Sequence, residues 1–112
     1  MTNWTLRVAR QAEVDIVDIL AWTSEQFGER QARTYAETLS LALEFLQDGP
    51  DVPGAKQRED IAPDIHILHI ARSGRKGRHF LVFRVAGDSL IDVLRVLHDS
   101  MDLPKHLGQR NR

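Results

Sequence analysis

Two amphipathic segments separated by a single glycine constrain this chain more than any other feature. From Gln11, Ala12, Ile16, Ile19 and Leu20, with Val17 close by, recur at helical spacing as far as Phe27. Gly28 follows where a left-handed C-terminal cap is wanted. A second stripe starts almost at once, in Ala32, Tyr35, Ala36, Leu39, Leu43 and Leu46, with Glu29 and Arg33 as an i,i+4 pair of favourable orientation. It ends near Asp48-Gly49-Pro50. Helices joined by so little chain must lie side by side and roughly antiparallel, so the spacing predicts a helical hairpin with an apolar face to bury.

The remaining segments supply the other layer. Trp4 to Val8 alternates apolar and polar residues and reads as a short strand. Ile65–Ala71, His79–Val85 and Ser89–Leu97 are rich in β-branched and aromatic residues, with turn signals at Ser73-Gly74 and Gly77 and at Gly87-Asp88. Short connections imply antiparallel neighbours. In the middle strand Leu81, Phe83 and Val85 point one way and Phe80, Val82 and Arg84 the other, so one face suits the hairpin while the second is only partly polar. Asp48 to Asp64, with Pro50, Pro53, Gly54 and Pro63, reads as an irregular connection. The expected fold is α+β in the order β-α-α-β-β-β: one domain over residues 1–112, its helical hairpin on one face of a small, mainly antiparallel sheet.

Apolar residues at 42% and charged residues at 28% are those of an ordinary globular protein. The absence of cysteine removes disulfides and thiolate chemistry and fits a reducing compartment. No early apolar run suggests a signal peptide and no window suits a membrane span, so the expected location is cytoplasmic, without membrane contact. The net charge of -1 is unevenly spread. Residues 1–64 hold 12 acidic and 6 basic side chains, whereas residues 65–112 hold 4 and 9. A basic face is available in the second half, but strong independent binding to nucleic acid is not expected of such a balance.

Five histidines invite a test for metal binding. His66 and His69 fall on opposite faces of a strand, His98 and His106 are far apart, and no HExxH framework exists, so no metal is expected. No GxSxG and no phosphate-cradling glycine motif is present, and no cofactor is implied. Arg72, Arg75, Lys76 and Arg78 place four cations in seven residues, suited to phosphates or an acidic partner, or else to a solvated hairpin end. Arg84 and Arg95 interrupt apolar strands, where they either pair with acids such as Asp92 or face a cleft. His98, beside Asp99 at the end of the last strand, suits acid–base chemistry or a structural hydrogen bond.

Three segments resemble the RelE/ParE toxin superfamily. Ala12–Ile16 followed by Phe27–Ala32 and Tyr35 is similar to its helical hairpin, and Gly77–Arg84 to its central strand. Arg95–Asp102, trailed by Leu103-Pro104-Lys105-His106-Leu107, resembles the ParE branch. That resemblance implies a toxin silenced by a ParD-like antitoxin in a hetero-oligomeric complex, and inhibition of DNA gyrase by protein binding. The implied contact candidates are Arg72, Arg75, Lys76, Arg78, Arg84, His98, Met101 and His106. The RelE branch cuts mRNA on the ribosome; on that alternative Arg84 and Arg95 would hold phosphate and His98 move the proton. The chain departs from the cutting branch in having Phe83 where a tyrosine is usual, no tyrosine in the tail and near-neutral charge.

Overall fold

The computed structural model describes residues 3–101; His106 and the rest of the Leu103–Leu107 run lie outside the described residues. Seven elements follow in order: β1 (Thr5–Val8), α1 (Arg10–Phe27), α2 (Glu29–Leu46), β2 (Lys56–Gln57), β3 (His66–His69), β4 (His79–Gly87) and β5 (Leu90–His98). The expected order holds, with one short strand added inside the connection. The strands form one sheet in the order β1-β5-β4-β3-β2, antiparallel except for β1, which runs parallel to β5.

Gly28 alone joins the helices. Its N–H donates to Ser24 O at 2.9 Å, closing α1, and its carbonyl accepts Ala32 N–H at 3.1 Å, opening α2. Both bonds require φ 94° and ψ 167°, not the left-handed helical cap anticipated from sequence. Positive φ with extended ψ is a region that only glycine enters cheaply, and it reverses the chain within one residue.

The main core lies between hairpin and sheet. Ala12, Leu39, Ala42 and Leu46 from the helices pack on Leu68, Ile70, Leu81, Phe83, Ile91, Val93 and Val96. Val17, grouped with the core stripe by its spacing, lies instead on the solvent side of α1, 64% exposed. At 3.6 residues per turn, Val17 stands about a third of a turn from Thr23 and somewhat more from Ala12, the two buried positions of the helix.

The second face of the sheet is more apolar than its sequence suggests. Ile61, Ile65, Ile67, Val82 and Leu97 form a separate buried cluster with Ala62, Phe80 and Leu94 against it. The connection between α2 and β3 builds much of this layer. It contributes Val52 to the main core and Ile61 and Ile65 to the second cluster, and it pairs Lys56-Gln57 with β3. Its prolines prevent a longer strand by withholding ladder donors, not by leaving it loose.

A bulge where β5 leaves β1 positions a half-buried ion pair. β1 pairs with β5 only as far as Val8↔Val93, and Ala9 N–H donates to Val93 O as the chain turns into α1. Beyond that point Asp15 of α1 takes over the strand edge. Its carboxylate accepts Val96 N–H at 2.9 Å and the Arg95 guanidinium at 2.9 and 3.1 Å. One side chain thereby satisfies an edge donor and neutralises an arginine set among apolar neighbours.

Candidate functional site

A broad concavity opens where the C-terminal half of α1 and the start of α2 overhang the end of the β4–β5 ribbon. It measures about 750 Å³ and is lined by Asp18, Ile19, Trp22, Thr23 and Phe27 of α1, Gln31 and Tyr35 of α2, the Lys76–Arg78 turn, His79 and His98. Its outer wall is aromatic. Trp22 and Phe27 pack edge to face at 5.7 Å between centroids yet remain 57% and 63% exposed. Gly77 makes the floor possible: a Cβ there would sit 2.7 Å from Ile70 Cγ1 and 3.2 Å from the Tyr35 hydroxyl.

Under that wall lies a connected set of polar side chains. The Tyr35 hydroxyl accepts Arg78 N–H at 2.9 Å, which directs its own proton to His79 Nδ1 at 2.6 Å. His79 stands edge-on to His98, its partner across the ladder, with ring centroids 5.2 Å apart. His98 Nδ1 accepts the Ser100 N–H at 3.1 Å and contacts the Ser100 hydroxyl at 2.7 Å. His69 Nδ1 accepts Ala71 N–H at 3.0 Å, so its Nε2–H donates to Asp99 at 2.9 Å. Arg78 completes the network with Nε 3.1 Å from Asp99 Oδ1. In each imidazole, Nδ1 has a donor facing it, so each neutral ring carries its proton on Nε2.

The electrostatics follow from these contacts. Hydrogen bonds from Arg78 and then His69 hold the Asp99 carboxyl down at about 2. Burial, reinforced by His98 nearby, lowers His79 to about 4, so it is neutral at physiological pH. Burial raises the Tyr35 phenol above its ordinary value. A neutral imidazole bonded to a protonated phenol is a structural latch between α2 and β4; it supplies neither a strong base nor an activated nucleophile.

The candidate residues divide among several places. Lys76, Arg78 and His98 rim the groove. Arg72 lies over the Phe45 ring at 4.0 Å, and Arg75 bonds Thr38 Oγ1, Thr34 O and Glu37 on α2. The basic turn is therefore docked on the second helix and is not a free hairpin end. Arg84 sits at the far end of β4, opposite Asp92, with Nε 3.9 Å from its carboxylate. Arg95 is held by Asp15. Arg84 and His98 are separated by about 16 Å along the ribbon at the usual strand rise. The trio Arg84, Arg95 and His98 does not converge on one point. Met101 is exposed just past β5. Among the described residues no three His, Asp or Glu side chains are grouped to hold a metal ion.

Sequence reasoning did not single out Trp22, Phe27, His79 or the role of Tyr35. A signal for one pairing was present: a two-residue turn after Gly87 places His79 opposite His98 by counting back along both strands. Two register shifts, one involving Ala86 and one involving Leu94, cancel and preserve that pairing.

A family model described as "ParE toxin of type II toxin-antitoxin system, parDE" matches residues 6–103. Toxin ParE1 of Caulobacter vibrioides is 31% identical over 102 residues, spanning 91% of this chain and 96% of its own length. Toxin ParE1 of Mycobacterium tuberculosis is 30% identical over 106 residues, spanning 95% and 98%. A solved chromosomal ParDE system from P. aeruginosa superposes with a TM-score of 0.66 at 20% identity, covering 85% of this chain and 95% of that one. A chain of the toxin–antitoxin complex RelBE2 from M. tuberculosis does so with a TM-score of 0.57 at 20% identity, covering 87% and 99%. These structural likenesses establish a shared fold.

Proposed function

The chain belongs to the ParE toxin family of type II toxin–antitoxin systems, and from that premise we propose that it acts by binding and not by turnover. It inhibits DNA gyrase in the cytoplasm through protein–protein contact, and a ParD-like antitoxin silences it in a hetero-oligomeric complex by covering the contacting surface. The observation that carries this reading is the aromatic groove. Large aromatic side chains left exposed beside cations are typical anchors of protein interfaces, and here Trp22 and Phe27 stand beside Lys76 and Arg78.

The strand arginines support the same reading. Arg95 is tied to Asp15 and Arg84 lies near Asp92, so a phosphate would have to compete with carboxylates for both. The ribosome-dependent mRNA interferase alternative needs those arginines and His98 around one scissile phosphate, which their placement does not favour. The test is gyrase supercoiling with the purified protein. Inhibition is expected, with relief by the antitoxin. Joint Trp22→Ala and Phe27→Ala substitution should raise the inhibitory concentration roughly 10- to 100-fold, with the helical circular dichroism unchanged. His98→Ala should remain toxic. Full supercoiling at every toxin concentration, or cut transcripts that become intact in His98→Ala, would sink the proposal.

A further inference from the structure

Helix α1 is apolar on two opposite sides, and only one of them faces the core. On the outer side Arg10, Val14, Val17, Ala21 and Ser24 succeed one another at alternating spacings of four and three, with Glu25 beside the end of the row. That is the spacing of a seam that packs along another helix. Val14 and Val17 are 40% and 64% exposed, and Ala21 is exposed too. Among the described residues no element covers them. The row lies about a third of a turn around α1 from Trp22, so none of its own residues lines the groove, the two surfaces meeting only at Asp18, and it is independent of the gyrase reading.

We propose that this seam pairs with the same seam of a second copy, α1 antiparallel to α1 about a two-fold axis near Val17. Charge selects that occupant. Arg10 at one end and Glu25 at the other are exposed, and neither makes an ion pair among the described residues. A helix running antiparallel along this row must bring an acid to Arg10 and a base to Glu25. A second α1 does both at once, and the symmetry makes each pair twice. It also sets Val14 against Ala21 of the other copy, a large residue against a small one. The seam spans about 22 Å of helix and buries few side chains, so association is weak and concentration-dependent. Asp18 flanks the centre of the row and faces its own mate across the axis, which opposes pairing slightly.

Sedimentation equilibrium on the purified protein over a dilution series tests this. The weight-average mass should climb from monomer towards dimer with concentration. Val17→Glu should weaken association at least about tenfold, by placing like charges at a desolvated centre. Arg10→Glu should weaken it several-fold, the double variant Arg10→Glu/Glu25→Arg should recover it, and Asp18→Asn should tighten it. All these positions are exposed, so the fold is retained and circular dichroism verifies it. A monomer at every concentration overturns the proposal, as does a dimer indifferent to Val17→Glu or a charge swap that fails to restore pairing. A strictly monomeric toxin whose Val17→Glu variant loses antitoxin affinity overturns it too, by assigning the seam to the antitoxin.

Discussion

At one end of the β4–β5 ribbon Asp92 takes a bidentate grip from Arg7, at 2.6 and 3.1 Å, with Arg84 at 3.9 Å. At the other end Asp99 takes Arg78 and His69. Both carboxyls are held below their usual range by donors from neighbouring strands or turns. What surrounds them differs. Asp92 is itself buried between β1 and β4, but its arginines, 63% and 54% exposed, lie open to solvent. Around Asp99 the helical hairpin overhangs the ribbon, adding Tyr35 to the floor and Trp22 and Phe27 to the wall. The same motif, an aspartate gathering cations from neighbouring strands, ties strands together in one place and underlies the aromatic groove in the other. The overhang makes the difference, and the one-residue linker at Gly28 sets the overhang.

Between the two ends lies Asp15 with Arg95, and it offers the largest effect. Asp15→Ala leaves Arg95 without its partner and Val96 N–H without an acceptor, both in a largely enclosed place. A loss of about 3 kcal/mol is expected, read as a lower urea midpoint at unchanged slope. A change within error would mean that water or the alanine backbone replaces the carboxylate, and that α1 does not depend on this contact to hold its position over β5.

Acidification should separate the two ends next. His79 has its folded pKa lowered from 6.5 to about 4, so the unfolded chain takes up the proton first. The stability this neutral imidazole contributes is complete above pH 6.5 and is lost as pH falls towards 4. Asp99, lowered from 3.8 to about 2, adds a second loss only below pH 3.8. The groove end should thus weaken while Asp92 at the far end is still ionised: the urea midpoint falls from pH 6.5 downwards, and the Tyr35–His79 hydrogen bond persists in NMR spectra until pH passes through about 4. An imidazole at 79 that titrates at its ordinary value would show that the latch is open to solvent.

The smallest effect belongs to the far end. Asp92→Asn removes a pair whose Arg7 partner is 63% exposed, and solvent screening holds the loss to roughly 1 kcal/mol or less. A loss as large as that of Asp15→Ala would contradict the distinction between a carboxylate whose cations are exposed and one whose cation is enclosed.

Much of this architecture was legible without coordinates. The hairpin followed from helical spacing interrupted by a single glycine, and the strands from β-branched runs between turn residues, because local periodicity reports which faces are buried. Val17 shows the limit of that logic: it sits near the core stripe in sequence, yet the rotation of the helix on the sheet turns it outward. The connection from Asp48 to Asp64 was unreadable for a related reason. Its prolines announce irregular backbone, but Ile61 and Ile65 serve a second hydrophobic layer completed from β3 and from the more distant β4 and β5.

The sequence by itself determined the order of elements, the hairpin and the likeness to the ParE family, since each rests on residues close together along the chain. Only tertiary structure decided the groove. Tyr35 meets His79 across 44 positions and Asp15 meets Arg95 across 80. No local pattern encodes such pairs, because their distance is fixed by how the hairpin rides on the sheet.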